Sequence, residues 1–438
     1  MHHLAISVAG IECATISSNE EHIDRRTRHV SLDFKGNSLR QFSDSLVQAK
    51  GMRTILLEPI FASWKQKERS LSPIINSSII LNFKFLRTLD LSASGIEVLQ
   101  NSICALKHLR YLDLAYNDTR TLPNSITKLQ NLLMLGVCWS KIEILPNGIG
   151  KMKRLRFLDV SYSNLKTLSN SVTMLKNLVT LNLSGIKFKE LPTDITKLVS
   201  LKHHDIYGKL LTHMPCGVSQ LTNLHTLSYF PLRGDTDNVP RHSAQLNELM
   251  PLNDLRGKLK ISNLRHGEDA LLESKAAYLK EKKHLQTLEL TWDFKDKVDI
   301  DETEVVGNEM SLERLQPHPT LKELLLGSYG GVKFSSWLSS LTNLESINPQ
   351  NCWIFQHLSP LDQFHSLRKL LLIGLTSLEY ISSCSEIDYF HSSSLSTTLL
   401  PSLETLWLWD LPNLKGLWRD SVVNAENQTI PSSFPLLC

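Results

Sequence analysis

A single spacing dominates this chain. Leu86, Leu109, Leu132, Leu155, Leu178, Leu201 and Leu224 follow one another at intervals of 23 residues. Each opens a segment of the form L-x-x-L-x-L, fully formed at Leu86/Leu89/Leu91, Leu109/Leu112/Leu114 and Leu178/Leu181/Leu183. Further apolar residues recur in phase, as Ile96, Leu99, Ile103 and Leu106 in one period and Leu122, Ile126 and Leu129 in the next. A fixed period of this size marks a chain of repeated units, none of which can bury its apolar edge alone. L-x-L alternation sets a short strand with one face inward, and the later apolar residues close the turn behind it. Stacked units then lay their strands side by side in a parallel sheet.

The pattern is that of a leucine-rich repeat. The expected fold class is α/β: a curved leucine-rich-repeat solenoid with a parallel β-sheet on the concave face and an irregular or helical convex side. Asn117 stands where such repeats place an asparagine that satisfies backbone groups in the turn, with Ser94, Ser140 and Ser163 as weaker versions. Pro123, Pro146, Pro192 and Pro215 fall where a fixed φ suits a turn. His204 replaces the second leucine of its repeat, which predicts poorer packing there. The regular repeats occupy 85–230, after an irregular N-terminal section at 25–84 whose opening strands fall at Val30/Leu32 and Met52/Ile55/Leu57. An insertion follows at 231–284, with a helix expected over Glu268 to His284. The C-terminal section, 285–438, carries irregular repeats with strands at Leu285/Leu288/Leu290, Leu321/Leu324/Leu326, Leu344/Ile347, Leu367/Leu370/Leu372 and Leu403/Leu406/Leu408. The acidic stretch from Asp293 to Glu309 reads as a solvated loop. The unpartnered C-terminal end reads as that of a fragment.

Composition narrows the function. Lys plus Arg is 47 against 44 Asp plus Glu, a net charge of +3, which supplies no general attraction to nucleic acid or membrane. Seven cysteines without a C-x-x-C spacing give neither a disulfide framework nor a zinc ribbon. No apolar run approaches the roughly 18 residues of a membrane span, and the N-terminus lacks the order of a secretory signal. A cytoplasmic location is the expectation. Gly148-Ile149-Gly150-Lys151 lacks the interval of a phosphate loop, and its Ile149 sits on the repeat register. His203/His204 are adjacent rather than a turn apart, so no metal set is complete. No catalytic, cofactor or metal site emerges, and the chain reads as non-enzymatic.

Function is instead expected on the concave face, where residues between the strand leucines form columns. One reads Asp90, Asp113, Gly136, Asp159, Asn182, Asp205 and Ser228, and its neighbour reads Thr88, Tyr111, Met134, Phe157, Thr180, His203 and Thr226. Two residues past the strand stand Tyr116, Trp139 and Tyr162. Tyr111, Tyr116, Trp139, Phe157 and Tyr162 are therefore expected to cluster, ringed by Arg110, Asp113, Arg156 and Asp159, as a protein-binding patch. Trp407, Trp409 and Trp418 form a second candidate surface, with partial burial under a neighbouring loop the favoured alternative.

Several segments together resemble the leucine-rich-repeat half of plant intracellular immune receptors of the nucleotide-binding NB-ARC class. Met1-His2-His3-Leu4-Ala5 with Val8-Ala9-Gly10-Ile11-Glu12-Cys13 is similar to the end of that family's nucleotide-binding region, which makes 1–24 a remnant of its helical end. The family's nucleotide-contacting M-H-D triplet aligns with Met1-His2-His3 or lies one turn upstream; His3 stands where the family has Asp. Arg28-His29-Val30-Ser31-Leu32, Met52-Arg53-Thr54 and Leu109-Arg110-Tyr111-Leu112-Asp113-Leu114 resemble the family's opening and repeat strands. Leu315-Gln316-Pro317-His318 and Tyr329-Gly330-Gly331 leading to Phe334-Ser335-Ser336-Trp337-Leu338 resemble its L-Q-P-H and Y-G-G-x-x-F-P-S-W-L, with Ser335 in place of Pro. The resemblance implies a recognition and autoinhibition module whose partners are a pathogen effector or host protein and an NB-ARC domain in cis or trans. Without a P-loop or Walker B strand it is not expected to bind nucleotide alone. A stand-alone cytosolic scaffold, adaptor or truncated decoy is the competing reading.

Overall fold

The computed structural model describes residues 12–16, 23–32, 48–57, 82–206, 211–233, 243–266, 278–293, 301–358, 361, 364–383 and 402–419. The chain divides into two compact units, Met1–Leu211 and Thr212–Cys438.

In the first unit the leucine spacing becomes a parallel sheet. Its described strands are β1 (Cys13–Ile16), β2 (His29–Leu32), β3 (Thr54–Leu57), β4 (Thr88–Asp90), β5 (Tyr111–Asp113), β6 (Met134–Gly136), β7 (Phe157–Asp159), β8 (Thr180–Asn182) and β9 (His203–Asp205). Each pairs with the next in chain order. Register follows the leucines, with Leu89 beside Leu112, Leu112 beside Leu135, and Leu135 beside Leu158. Those leucines are fully buried, as are Ile103, Ile126, Ile149 and Val172 from the short 3₁₀ turns behind the sheet. Pro123 (φ −65°) and Pro192 (φ −55°) lead into two of these turns in the conformation that proline imposes. Asn117 does what its position predicts. Its Oδ1 accepts from the Ser94 and Ile96 amides, and its Nδ2 donates to the Leu91 and Leu114 carbonyls, tying two repeats together. β1 adds a strand ahead of the two opening strands expected from the sequence, within the segment read as a helical remnant. Residues 1–11, which carry the rest of that resemblance, lie outside the described residues.

The second unit contains β10 (Thr226–Leu227), β11 (Tyr229–Pro231), β12 (Arg256–Leu264), β13 (His284–Trp292), β14 (Glu323–Gly327), β15 (Ser346–Gln350), β16 (Lys369–Ile373), β17 (Tyr380–Ser383), β18 (Thr405–Trp409) and β19 (Gly416–Arg419). A seven-stranded parallel sheet runs β11-β12-β13-β14-β15-β16-β18, and β17 pairs with β19. Two expectations are corrected here. The segment read as an irregular insertion contributes a nine-residue strand, β12, whose Leu259 and Ile261 pair with Leu288 and Leu290 of β13. The helix expected over Glu268 to His284 falls partly outside the described residues; Leu279–Glu281 is a 3₁₀ turn and the strand begins at His284.

The acidic stretch is a further correction, although its residues 294–300 lie outside the described residues. Residues Glu302–Arg314 form an α-helix, α1, rather than a solvated loop, and Asp301 caps it by accepting from the Glu304 amide. Its buried side is Gly307, Asn308, Ser311 and Leu312, packed where Asn308 Nδ2 donates to the Gly330 carbonyl and Trp337 Nε1 donates to the Leu312 carbonyl. Leu288 to Leu324 spans 36 residues where Leu324 to Ile347 spans 23, and the excess equals the 13 residues of α1. The sheet register is thus kept while the connection behind it grows.

Candidate functional site

The open face of the first unit is organised by what happens at each strand end. Asp90, Asp113 and Asp159 close their strands, and each turns its carboxylate onto the amide two residues on: Ser92, Ala115 and Ser161. Asn182 does the same for Ser184. These are Asx turns, the local bond for which Asp and Asn side chains have the reach. The chain then takes a left-handed residue: Ala93 (φ 52°), Tyr116 (57°), Trp139 (52°), Tyr162 (52°) and Gly185 (71°). Each of the first four donates its amide to the carbonyl of the next repeat, as Trp139 does to Ser161 at 2.9 Å.

Glycine adopts that conformation without cost, and a bulky L-residue does not. Three successive repeats nevertheless place an aromatic residue there. The consequence is a stack. Tyr116 and Trp139 have ring centroids 6.1 Å apart at 8°, and Trp139 and Tyr162 lie 4.4 Å apart at 9°. Gly185 completes it, because a Cβ there would come within 2.4 Å of the Tyr162 ring. Tyr116, Trp139 and Tyr162 keep 41%, 49% and 43% of their surface exposed.

The remaining expected site residues separate into two tiers. Tyr111 and Phe157 are half-buried on the strands themselves, with Met134 in register between them. The Tyr111 hydroxyl donates to Asp113 Oδ2 at 3.3 Å, and burial followed by the nearby Asp113 and Asp90 charges pushes this phenol up to about 12. Asp113 is itself raised, by burial first and by Asp90 and Asp159 among the rest. Gly136 lets that carboxylate lean across the neighbouring strand, since a Cβ there would lie 2.9 Å from Asp113 Oδ1. Arg110 and Arg156 are exposed just before their strands, three residues or about 10 Å from the carboxylates. They stand at the start of their strands, and the stack stands past the strand ends.

Sequence reasoning passed over some neighbours. Cys138 is half-buried beside the stack, and burial with the Asp159 and Asp113 charges drives its thiol up to about 12, so it stays protonated and inert. Arg53 and Arg87 continue the arginine edge, aligned by Arg87 N–Arg53 O and Arg110 N–Arg87 O bonds of 2.7 Å. Both were visible in the repeat register. His204 is buried with no partner for Nε2, and burial lowers it to about 4. In the second unit Trp407 and Trp409 are exposed, and so is Leu408, a strand leucine, at 38%. The Trp418 side chain lies outside the described residues. Among the described residues no three His, Cys, Asp or Glu side chains gather as a metal site requires, and no helix is long and apolar enough to cross a membrane.

Two family models match the chain: R13L1/DRL21 LRRs over residues 246–375 and a leucine-rich repeat region over residues 68–163. Among curated proteins, disease resistance protein RGA1 of Solanum bulbocastanum is 35% identical over 183 residues, 41% of this chain and 17% of its own length. A disease resistance RPP13-like protein of Arabidopsis thaliana is 32% identical over 185 residues, again 17% of its length. The matched stretch therefore spans about a sixth of these relatives. Among solved structures, an internalin of Listeria monocytogenes superposes with a TM-score of 0.51 at 17% identity, covering 74% of this chain and 82% of that one, a likeness of fold alone.

Proposed function

We propose, from the premise that this is a leucine-rich-repeat chain similar over its repeats to plant disease-resistance proteins, that it is a non-enzymatic recognition module of an intracellular immune receptor. Its open sheet face senses a pathogen effector or a guarded host protein in the cytoplasm. The same repeats restrain a nucleotide switch in an NB-ARC domain, in cis or in trans, until that contact forms. Restraint of this kind requires contacts that differ between the off and on states.

One observation carries the reading: Tyr116, Trp139 and Tyr162 stand exposed in a left-handed conformation that the repeat imposes and that glycine would hold without strain. Strain held at consecutive positions on an exposed surface marks a surface kept for contact. Large rigid aromatic side chains are also the groups that dominate protein interfaces. The test compares the full chain with Tyr116→Ala/Trp139→Ala/Tyr162→Ala in leaf tissue, recovering cross-linked partners from each. A partner held by the unaltered chain is expected to be lost from the triple variant, while circular dichroism stays the same and stability falls by no more than the two lost ring contacts, about 1–3 kcal/mol. If every partner is retained, this surface is not the recognition site.

A further inference from the structure

The charges around the two sheets are handled differently. On the second unit they neutralise one another across strands: Lys258 meets Glu289 at 2.8 Å, Lys260 meets the same carboxylate, and Lys322 meets Glu345 at 2.9 Å. On the first unit Asp90, Asp113 and Asp159 form no ion pair with any described residue, although a column of arginines runs along the far edge of the same strands. Those carboxylates bond to backbone amides, and Asp159 also accepts from Asn182 Nδ2 at 3.2 Å. Amide bonds leave the negative charge in place.

The carboxylates adjoin the rings. Asp159 takes the amide of Ser161, and the carbonyl of Ser161 takes the amide of Trp139. Asp113 lies three residues before Tyr116 in the same turn, and the Asp159 and Asp113 charges both act on the Tyr116 phenol. Exposed π-faces beside negative charge favour a cation, which gains from the ring quadrupole and the carboxylate together. A polyanion is repelled from the same edge.

We infer that the Tyr116–Trp139–Tyr162 stack and the Asp90, Asp113 and Asp159 carboxylates together receive a basic segment of a partner protein, its arginine or lysine stems lying over the rings and their charges meeting the aspartates. This rests on the stack being a protein-recognition surface and names the chemistry of what it recognises. Adjacent strands lie about 4.8 Å apart, so Asp90 to Asp113 is one step and Asp113 to Asp159 two. Basic side chains at i, i+3 and i+10 of a helix laid across the strands, about 4.5 and 10.5 Å apart on one face, match those intervals. The arginine edge, about 10 Å away, sets the orientation by rejecting cations there.

The test uses the full chain and three capped, alanine-based helical peptides bearing arginine, glutamine or glutamate at those spacings, with affinities from calorimetry. Asp113→Asn/Asp159→Asn removes charge and keeps the turns, because Asn182 already makes the same bond in this protein. The arginine peptide is expected to bind saturably and more weakly as salt is added. It should weaken about tenfold in the Asn variant and stop binding in the triple-alanine variant, while the glutamate peptide does not bind. Absence of binding by the arginine peptide, equal binding by the glutamate peptide, or an unchanged affinity in the Asn variant would each overturn the inference. The underlying reading fails separately. If partners recovered from leaf tissue survive Asp113→Asn/Asp159→Asn but are lost on Tyr116→Ala/Trp139→Ala/Tyr162→Ala, the surface recognises protein but not through basic groups.

Discussion

Four residues past the second leucine of each strand segment, both units turn the chain the same way. Ala93, Tyr116, Trp139 and Tyr162 in the first unit, and Ser328, Asn351 and Asp410 in the second, all hold φ between 52° and 57°. In both units the amide there donates to the next repeat, as Ser328 does to Gln350 and Tyr116 does to Cys138, each at 2.9 Å. The second unit fills the position with small polar residues, and with Gly374, which tolerate the left-handed region. The first unit fills it three times with rings. The conformation thus belongs to the repeat, and the side chain placed on it does not. Where the two units share a geometry it reports folding, and where they part at the same geometry the difference reports use.

The units also part in what lies behind the sheet, and the largest predicted effect tests that. α1 is inserted only where the repeat lengthens; its one buried apolar residue is Leu312, whose carbonyl accepts from Trp337 Nε1, and Glu313 accepts from the Ser335 and Ser336 hydroxyls and the Ser336 amide. Trp337→Ala removes a buried indole and a buried hydrogen bond, and should cost about 3–5 kcal/mol in denaturant unfolding. Amide exchange should rise first along Glu302–Arg314 and leave Tyr111–Asp113 protected. Equal loss of protection in both units would mean that they unfold as one and that the comparison holds only for shape.

Each unit also buries a base at a leucine position, which gives a second, slightly smaller effect with a defined sign. His204 replaces a strand leucine, and burial lowers it from 6.5 to about 4. Lys282 stands where Leu106 stands in its own repeat, each bonding its amide three residues back, and burial lowers it to about 8. The lysine reaches the Leu249 carbonyl at 2.7 Å and the Leu252 carbonyl at 3.2 Å, whereas the shorter imidazole leaves Nε2 unpaired. For both, the unfolded chain binds a proton at a pH where the folded chain does not, so stability rises with pH across each window. The His204 contribution is lost as pH falls from 6.5 towards 4 and the Lys282 contribution as pH falls from 10.5 towards 8, each by up to about 3 kcal/mol. His204→Leu should therefore outlast the unaltered chain by a margin that widens below pH 6.5 and is flat above it. A constant margin across that range would show that the imidazole is hydrated in solution.

These pairs also show what could be read from the letters. The strands of the first unit were legible because leucine burial repeats every 23 residues, and the columns followed from strand parity. β12 was hidden because Leu259 to Leu288 is 29 residues, off the count, although its K-L-K-I alternation carries the period of a strand. α1 was hidden because its buried side is Gly307, Asn308, Ser311 and Leu312, and one leucine among small residues writes no apolar period. Of the site, the membership of Tyr116, Trp139 and Tyr162 was legible. Their stacking was not, since aromatic residues are poor candidates for positive φ and only the repeat geometry forces them there. Arg110 and Arg156 were legible as residues at the start of their strands, at the end away from the turn.

The smallest predicted effect is the most direct on the comparison. In the first unit, Trp139→Gly relieves a left-handed tryptophan, worth about 1–2 kcal/mol, and forfeits stacking worth about 0.5–1.5 kcal/mol on each side. These terms nearly cancel, so the melting temperature should barely move even as partner binding is lost. In the second unit the reciprocal change, Asn351→Trp, installs the same strain with Ser328 and Gly374 as neighbours, neither of which can stack. It should destabilise by about 1–2 kcal/mol, because nothing offsets the backbone term. Adding Ser328→Trp should recover part of that loss through a new ring pair. Measured together by thermal melts, the three variants separate backbone strain from stacking. If Trp139→Gly instead costs several kcal/mol, the rings are held for stability, and the argument that strain marks a contact surface falls with it.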